Sequence, residues 1–277
     1  MQSGADHLKV GASNGNDYHL SPTPLTVIHT LFDQCELAQL TYSALDKAAT
    51  ETQESDQEEI KVTFPVRYNA DKTAVESTRK YTKERILTRY QLLAYHQLPV
   101  NYLIQLVTSV ETMLSDVLRI LIMQYPKKLG SKRSISMRSV LESSSIEEIH
   151  LCATNTLLNE LAYKSPTDFA NLVENIISIN LLECPAYHRY VEIKATRDIY
   201  IHNRGIANDI YLKKSGIHAR VKLNENIPVT LQYYLESYES CLQITEWLES
   251  ELHQHWHSSE REERIESNKP SNKEAIA

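Results

Sequence analysis

The stretch RDIYIHNRG, Arg197 to Gly205, gathers an arginine, an aspartate, a histidine and an asparagine within seven positions and then reaches a glycine. These side chains can hold a phosphate, orient a ring and move a proton. The Arg-to-His spacing alone carries little, because Arg89 and His96, separated by YQLLAY, fall within the same loose pattern. What sets 197–205 apart is its context: Asp198 after the arginine, Asn203 after the histidine, and Gly205 as a helix stop. On a straight helix Arg197 and His202 lie about 140° and about 7.5 Å apart, so they do not share a face. The spacing therefore predicts a helix that ends at the histidine, with Asn203 and Gly205 supplying the ending. Asp198 and His202 do share a face, so the carboxylate is expected to orient the imidazole. The carbonyl end of the helix favours imidazolium and the Arg197 guanidinium opposes it, a balance suited to proton transfer at neutral pH.

R-D-I-Y-I-H-N-R-G resembles the signature of the HEPN superfamily, in which an arginine, a polar residue, a short spacer and a histidine close a core helix, often as H-N-x-G. The helix YLIQLVTSVETMLSDVLRILIMQYPKKLG resembles the long helix that precedes the signature in one branch. The likeness spans roughly residues 95–255, and the nonapeptide is its only specific part. It implies a helical bundle that dimerises with two signatures facing each other, and a metal-independent endoribonuclease of a defence or toxin–antitoxin type system. Carried over by position, Arg197 would contact the scissile phosphate, His202 would transfer protons, Asp198 would be the polar companion and Asn203 a supporting residue. RNA carries its own nucleophile, the 2′-OH, so such a protein need supply only proton transfer and charge stabilisation. The expected partners are a second copy of the chain, an RNA substrate and an antitoxin or other regulatory protein. No cofactor or metal is expected. The same superfamily includes non-catalytic members, so a helical adaptor or partner-binding module is the alternative. Nucleotide chemistry in cis is disfavoured, because the chain has no Gly-rich phosphate loop.

Other residues qualify as accessories. Glu111, in TSVETML, sits on the most hydrophobic helix and would either line the site or belong to a surface stripe, the second being the commoner case. Tyr200, inside the signature, would stack on a base or pack in the core or dimer interface. Arg204, Lys194, Lys213 and Lys214 are the RNA-binding candidates. They belong to segment 187–222, which carries eight cations and three acids, whereas residues 1–60 carry ten acids and two lysines. A second basic cluster comprises Lys127, Lys128, Lys132, Arg133 and Arg138. His253, His255 and His257 alternate in LHQHWHSS, which is too few ligands to read as a metal site.

The elements that must position these residues are helical. The chain has 277 residues with only 6 Gly and 9 Pro, against a turn-rich β fold. The net charge of −7 argues against non-specific coating of nucleic acid. Four scattered cysteines suggest neither disulfides nor a zinc knuckle and suit a reducing cytoplasm, and no signal peptide or membrane span is evident. Periodicity and end signals predict helices over about 25–48, 72–96 and 100–125, one that starts in SSSIEE at 143–148 and ends near 163, and others over about 166–179, 185–203 and 229–255. ATETQESDQEE reads as a loop, and KVTFPVRY as a strand candidate that Pro65 breaks. The fold class is thus all-α: an antiparallel, HEPN-like bundle over 96–256 and an N-terminal helical extension over 21–95, either separate from the bundle or continuous with it. Residues 1–20 and 257–277 read as disordered polar termini.

Overall fold

A computed structural model of the chain describes residues 22–130, 134–162 and 164–257. The segments expected to be disordered lie outside these residues, apart from His257, and so do Lys132 and Arg133 of the second basic cluster. The described chain is mostly helical, with α1 (Pro22–Glu54), a hairpin of β1 (Glu59–Tyr68) and β2 (Ala74–Thr82), α2 (Lys83–Leu92), α3 (Leu98–Gln124) and α4 (Met137–Glu142). There follow α5 (Ile146–Ala162), α6 (Pro166–Ile177), α7 (Tyr187–Asn203), α8 (Asp209–Ser215) and α9 (Leu231–Leu252). No helix among the described residues is long and apolar enough to cross a membrane.

The core forms around α3, whose Leu103, Leu106, Val107, Val110, Met113, Leu114, Val117, Leu118 and Leu121 are buried at helical spacing. Against it pack Leu31 and Ala38 of α1, Leu157 of α5, Val173 and Ile177 of α6, Tyr190 and Ile193 of α7, and Tyr234, Cys241 and Leu248 of α9. A smaller cluster, Ala195, Ile199, Ala207, Tyr211 and Ile227, lies between the end of α7, α8 and the loop leading to α9. Short polar side chains start several helices. Ser165 accepts from the Asp168 N–H and Asn208 from the Tyr211 N–H. At the start of α5, Ser145 accepts from the Glu148 N–H, and the Glu148 carboxylate accepts from the N–H of Ser144, one residue before the cap.

Three expectations are corrected. First, the strand candidate is real and pairs with residues that periodicity assigned to a helix. β1 and β2 form an antiparallel hairpin whose register slips between Pro65 and Arg67. A two-stranded hairpin has only edges, so Pro65 at the irregularity removes no indispensable ladder bond. The helix expected from Lys72 accordingly begins at Lys83, capped by Thr82, which accepts from the Arg85 N–H. Second, α1 runs through ATETQE to Glu54. Third, the helices expected over 72–96 and 100–125 are not separated at Pro99: α2 passes into α3 through a π-turn, Leu93–Gln97, in which the Leu98 N–H reaches the Leu93 carbonyl. Proline lacks an N–H and crowds the carbonyl four residues back, and the widened turn just before it relieves both problems. The short helices α4 and α8 were not expected.

Candidate functional site

Residues 197–203 lie in the last two turns of α7, which is helical through Asn203. Arg204 is the first left-handed residue (φ 54°), and Gly205 follows at φ 81°. The ending therefore takes two positive-φ residues, the first of them Arg204 rather than glycine. The Gly205 N–H bonds the Ile199 carbonyl at 3.2 Å, and the Asn203 amide donates to the Ile206 carbonyl at 2.6 Å. Beyond the turn, Ala207 N–H bonds the Glu225 carbonyl and Ile227 N–H bonds the Gly205 carbonyl, clamping the end of α7 to the segment that enters α9. Gly205 is required twice over. Besides its φ, a Cβ there would stand 3.1 Å from the Tyr200 ring.

The side chains of the signature divide between two sides of the helix. Arg197 points at α3, where its guanidinium pairs with Glu111, and it also pairs with Asp198 at 3.1 Å; only 12% of its side chain is exposed. Glu111 also receives the Lys194 ammonium. Asp198 faces Lys214 at 3.4 Å and Lys194 at 3.9 Å. The result is an alternating cluster of two carboxylates and three cations joining α3, α7 and α8. Burial holds Lys194 and Arg197 below their ordinary pKa values, and the Asp198 carboxylate counteracts this in both.

His202 lies outside this cluster. It is exposed and makes no hydrogen bond or ion pair among the described residues. The expected orientation of its ring by Asp198 is not formed, because three cations occupy that carboxylate. Nor does the helix end bring Arg197 and His202 together within one chain. The helix stays regular past His202, so the separation around its axis stands.

The accessory candidates fare differently. Glu111, on α3, sits at the centre of the cluster. Tyr200 is half-buried, and its hydroxyl donates to the Ile227 carbonyl at 2.5 Å, so it braces the turn. Of the RNA-binding candidates, Lys194 and Lys214 are held by acids, whereas Arg204 and Lys213 are exposed and without an ion-pair partner among the described residues. The basic excess of segment 187–222 is smaller in space than in sequence, because Glu111 and Glu236 come in from α3 and α9. Counting these two acids brings the local balance from +5 to +3. Beside Lys194 and Lys214 opens an apolar pocket of about 770 Å³, its solvent mouth included, with Leu114, Leu158, Phe169 and Tyr190 in its lining.

Sequence reasoning missed Glu192. It is wholly buried, yet it accepts hydrogen bonds from Thr196 (2.7 Å), Tyr211 (3.1 Å), Arg220 (3.1 Å) and Tyr233 (2.8 Å), and it faces Arg189 at 3.6 Å. Arg220 lies 3.5 Å from the centroid of the Tyr233 ring. This network fixes α7 against α8 and α9. Its available signal was a glutamate within reach of Arg189 and Thr196 on its own helix, which reads equally well as a surface pattern.

Among the described residues no group of three or more His, Cys, Asp and Glu side chains is placed to hold a metal ion. Comparison of the chain with family models, with curated proteins and with solved structures returned no match.

Proposed function

We propose that the chain is a metal-independent, HEPN-type endoribonuclease that cleaves RNA by 2′-OH attack at a composite site formed across a homodimer, in a defence or toxin–antitoxin type setting. The observation that supports this reading is the state of His202. A histidine serving only to cap a helix end would bond the terminal carbonyls. Here the Arg204 and Gly205 N–H groups do that at the Ile199 carbonyl, while the imidazole stands exposed and unengaged on a braced helix end. An imidazole open to a substrate, on a helix end held by these bonds, is the placement that general acid–base catalysis requires. With two chains, one His202 would take the 2′-OH proton and the other would protonate the leaving 5′-oxygen. Arg197, already oriented by Glu111 and Asp198, would stabilise charge on the phosphorane.

The alternative, a non-catalytic HEPN-like adaptor or partner-binding module, is favoured by one observation. The Arg197 guanidinium is shared between two carboxylates and is mostly covered, as a structural arginine would be. Cleavage assays on His202→Ala and Arg197→Lys separate the readings. Nuclease activity predicts cleavage in EDTA, 2′,3′-cyclic phosphate ends, a dimer by light scattering and loss of at least about a hundredfold in rate for His202→Ala. Unchanged cleavage in both variants, or loss of wild-type cleavage on chelation, overturns the nuclease.

A further inference from the structure

The hairpin and the helix it leads into carry a basic surface that the signature does not use, with Lys80 paired to Glu59 at 3.1 Å. Residues 59–92 hold eight cations, Lys61, Arg67, Lys72, Arg79, Lys80, Lys83, Arg85 and Arg89, against Glu59, Asp71, Glu76 and Glu84. This excess of four lies in a chain whose net charge is −7. The hairpin packs chiefly on α2, so most of its surface faces solvent. Between β2 and α2 runs an open groove of about 960 Å³, its solvent mouth included, lined by Arg79, Tyr81, Arg85 and Arg89 among others, with Glu84 as its acid.

None of the three arginines has an ion-pair partner among the described residues, in contrast to the cations of α7. Two of them are held by rings instead: Arg79 lies 5.1 Å from the Phe64 centroid and Arg85 5.7 Å from that of Tyr81. Arg85 and Arg89, one helical turn apart, present their guanidinium groups in a row about 6 Å long. Aromatic support orders an arginine without neutralising it, leaving the planar fork available to a phosphate.

We infer that this groove binds the sugar–phosphate backbone of single-stranded RNA. The charge excess selects a polyanion. Arginine rather than lysine in the groove, with a tyrosine face beside it, favours phosphates interspersed with stackable bases over a string of carboxylates. The choice of RNA rests on the proposed nuclease reading, in which the hairpin captures substrate remote from His202.

The test is fluorescence anisotropy with a short labelled oligouridylate across a salt series, on His202→Ala protein so that the RNA survives. The comparison is the same protein carrying Arg79→Ala, Arg85→Ala and Arg89→Ala together. All three residues lie at the solvent-facing groove, and circular dichroism verifies that the fold persists. The expected result is affinity weaker by at least about tenfold and a log–log salt slope shallower by about 2, three phosphate contacts at about 0.7 each. Unchanged affinity and slope overturn the inference, as does equal loss on replacing Lys127 and Lys128 by alanine. Polyglutamate binding as tight as the oligouridylate, with the same dependence on the three arginines, assigns the groove to an acidic protein and also overturns it. The two proposals fail separately: hairpin-dependent binding without any cleavage by the wild type removes the nuclease and keeps the groove, whereas cleavage with hairpin-independent binding does the reverse.

Discussion

Replacing Glu192 by glutamine tests the account of how α7 is held, because it alters the chemistry of one buried group with almost no change in volume. Every neighbour that bonds the carboxylate is a donor: the Thr196, Tyr211 and Arg220 groups meet Oε1, and Tyr233 meets Oε2. An ionised carboxylate can accept from all of them, whereas a primary amide offers one oxygen and two N–H donors. The less damaging orientation keeps oxygen toward the three donors and turns the NH2 toward the Tyr233 hydroxyl, which must give up its donated bond and accept instead, and toward the Arg189 guanidinium, which cannot accept. One hydrogen bond to a charged group is lost, a contribution of about 1.5–3 kcal/mol, and the Arg220 guanidinium, 19% exposed, loses its counter-charge. The combined cost is about 3 kcal/mol, which for a chain of this size lowers the melting temperature by roughly 6–12 °C. Calorimetry or guanidinium unfolding at constant slope measures it. Tyr233→Phe supplies a cycle: costly in the wild type, it should cost almost nothing in the glutamine background, a coupling of about 1–2 kcal/mol. A Glu192→Gln protein melting within about 2 °C of the wild type, or strictly additive costs, would refute the donor-counting argument.

Two further outcomes follow from the geometry. Gly205→Ala forces a Cβ into a left-handed backbone and against a Tyr200 ring that its own hydrogen bond prevents from retreating. It should destabilise by about 2–4 kcal/mol, seen as a shifted unfolding midpoint, and a loss below about 0.5 kcal/mol would show that the turn is softer than described. Burial raises the pKa of Tyr187, Tyr190, Tyr233 and Tyr234, and the hydrogen bond with Tyr95 pushes Tyr42 up to about 12. A phenol harder to ionise in the folded chain contributes stability that is complete below the unfolded value of about 10 and is lost as pH rises through the folded value. Tyrosinate absorbance should therefore rise in two stages, the second coinciding with loss of helical circular dichroism; smooth titration of all sixteen tyrosines in the folded protein would contradict this.

The sequence made the helices legible wherever one face is apolar. α3, α6 and α9 emerge within a few residues of their observed bounds, because burial against a common core imposes the 3.6-residue period. The errors fall where no buried face exists to impose it. The last turns of α1 are polar all round and look like a loop. The hairpin is exposed on most of its surface, so alternation is weak, and Pro65 reads as a veto although it sits at a tolerant slip in register. α8 is only seven residues long and offers no period at all. At the site, sequence located the end of α7 and its bracing residues, because Asn and Gly act through the local backbone. It could not show which acids answer the basic segment, since Glu111 lies more than eighty positions from its partners and acts only through the packing of α3 on α7. For the same reason a buried glutamate with distant tyrosine donors was indistinguishable from a surface charge.

The π-turn before Pro99 bears on more than the continuity of α2 and α3. It inserts one residue into what would otherwise be a single α-helix, and each residue of an α-helix advances the azimuth by about 100°. The turn therefore sets the angular phase between the core-facing stripe of α3 and the row of Arg85 and Arg89. A chain whose Leu93–Gln97 segment tightened to regular α-helix with no residue removed could keep its bundle and its hairpin, yet carry the arginine groove about a quarter of a revolution round the axis, aimed at a different neighbour.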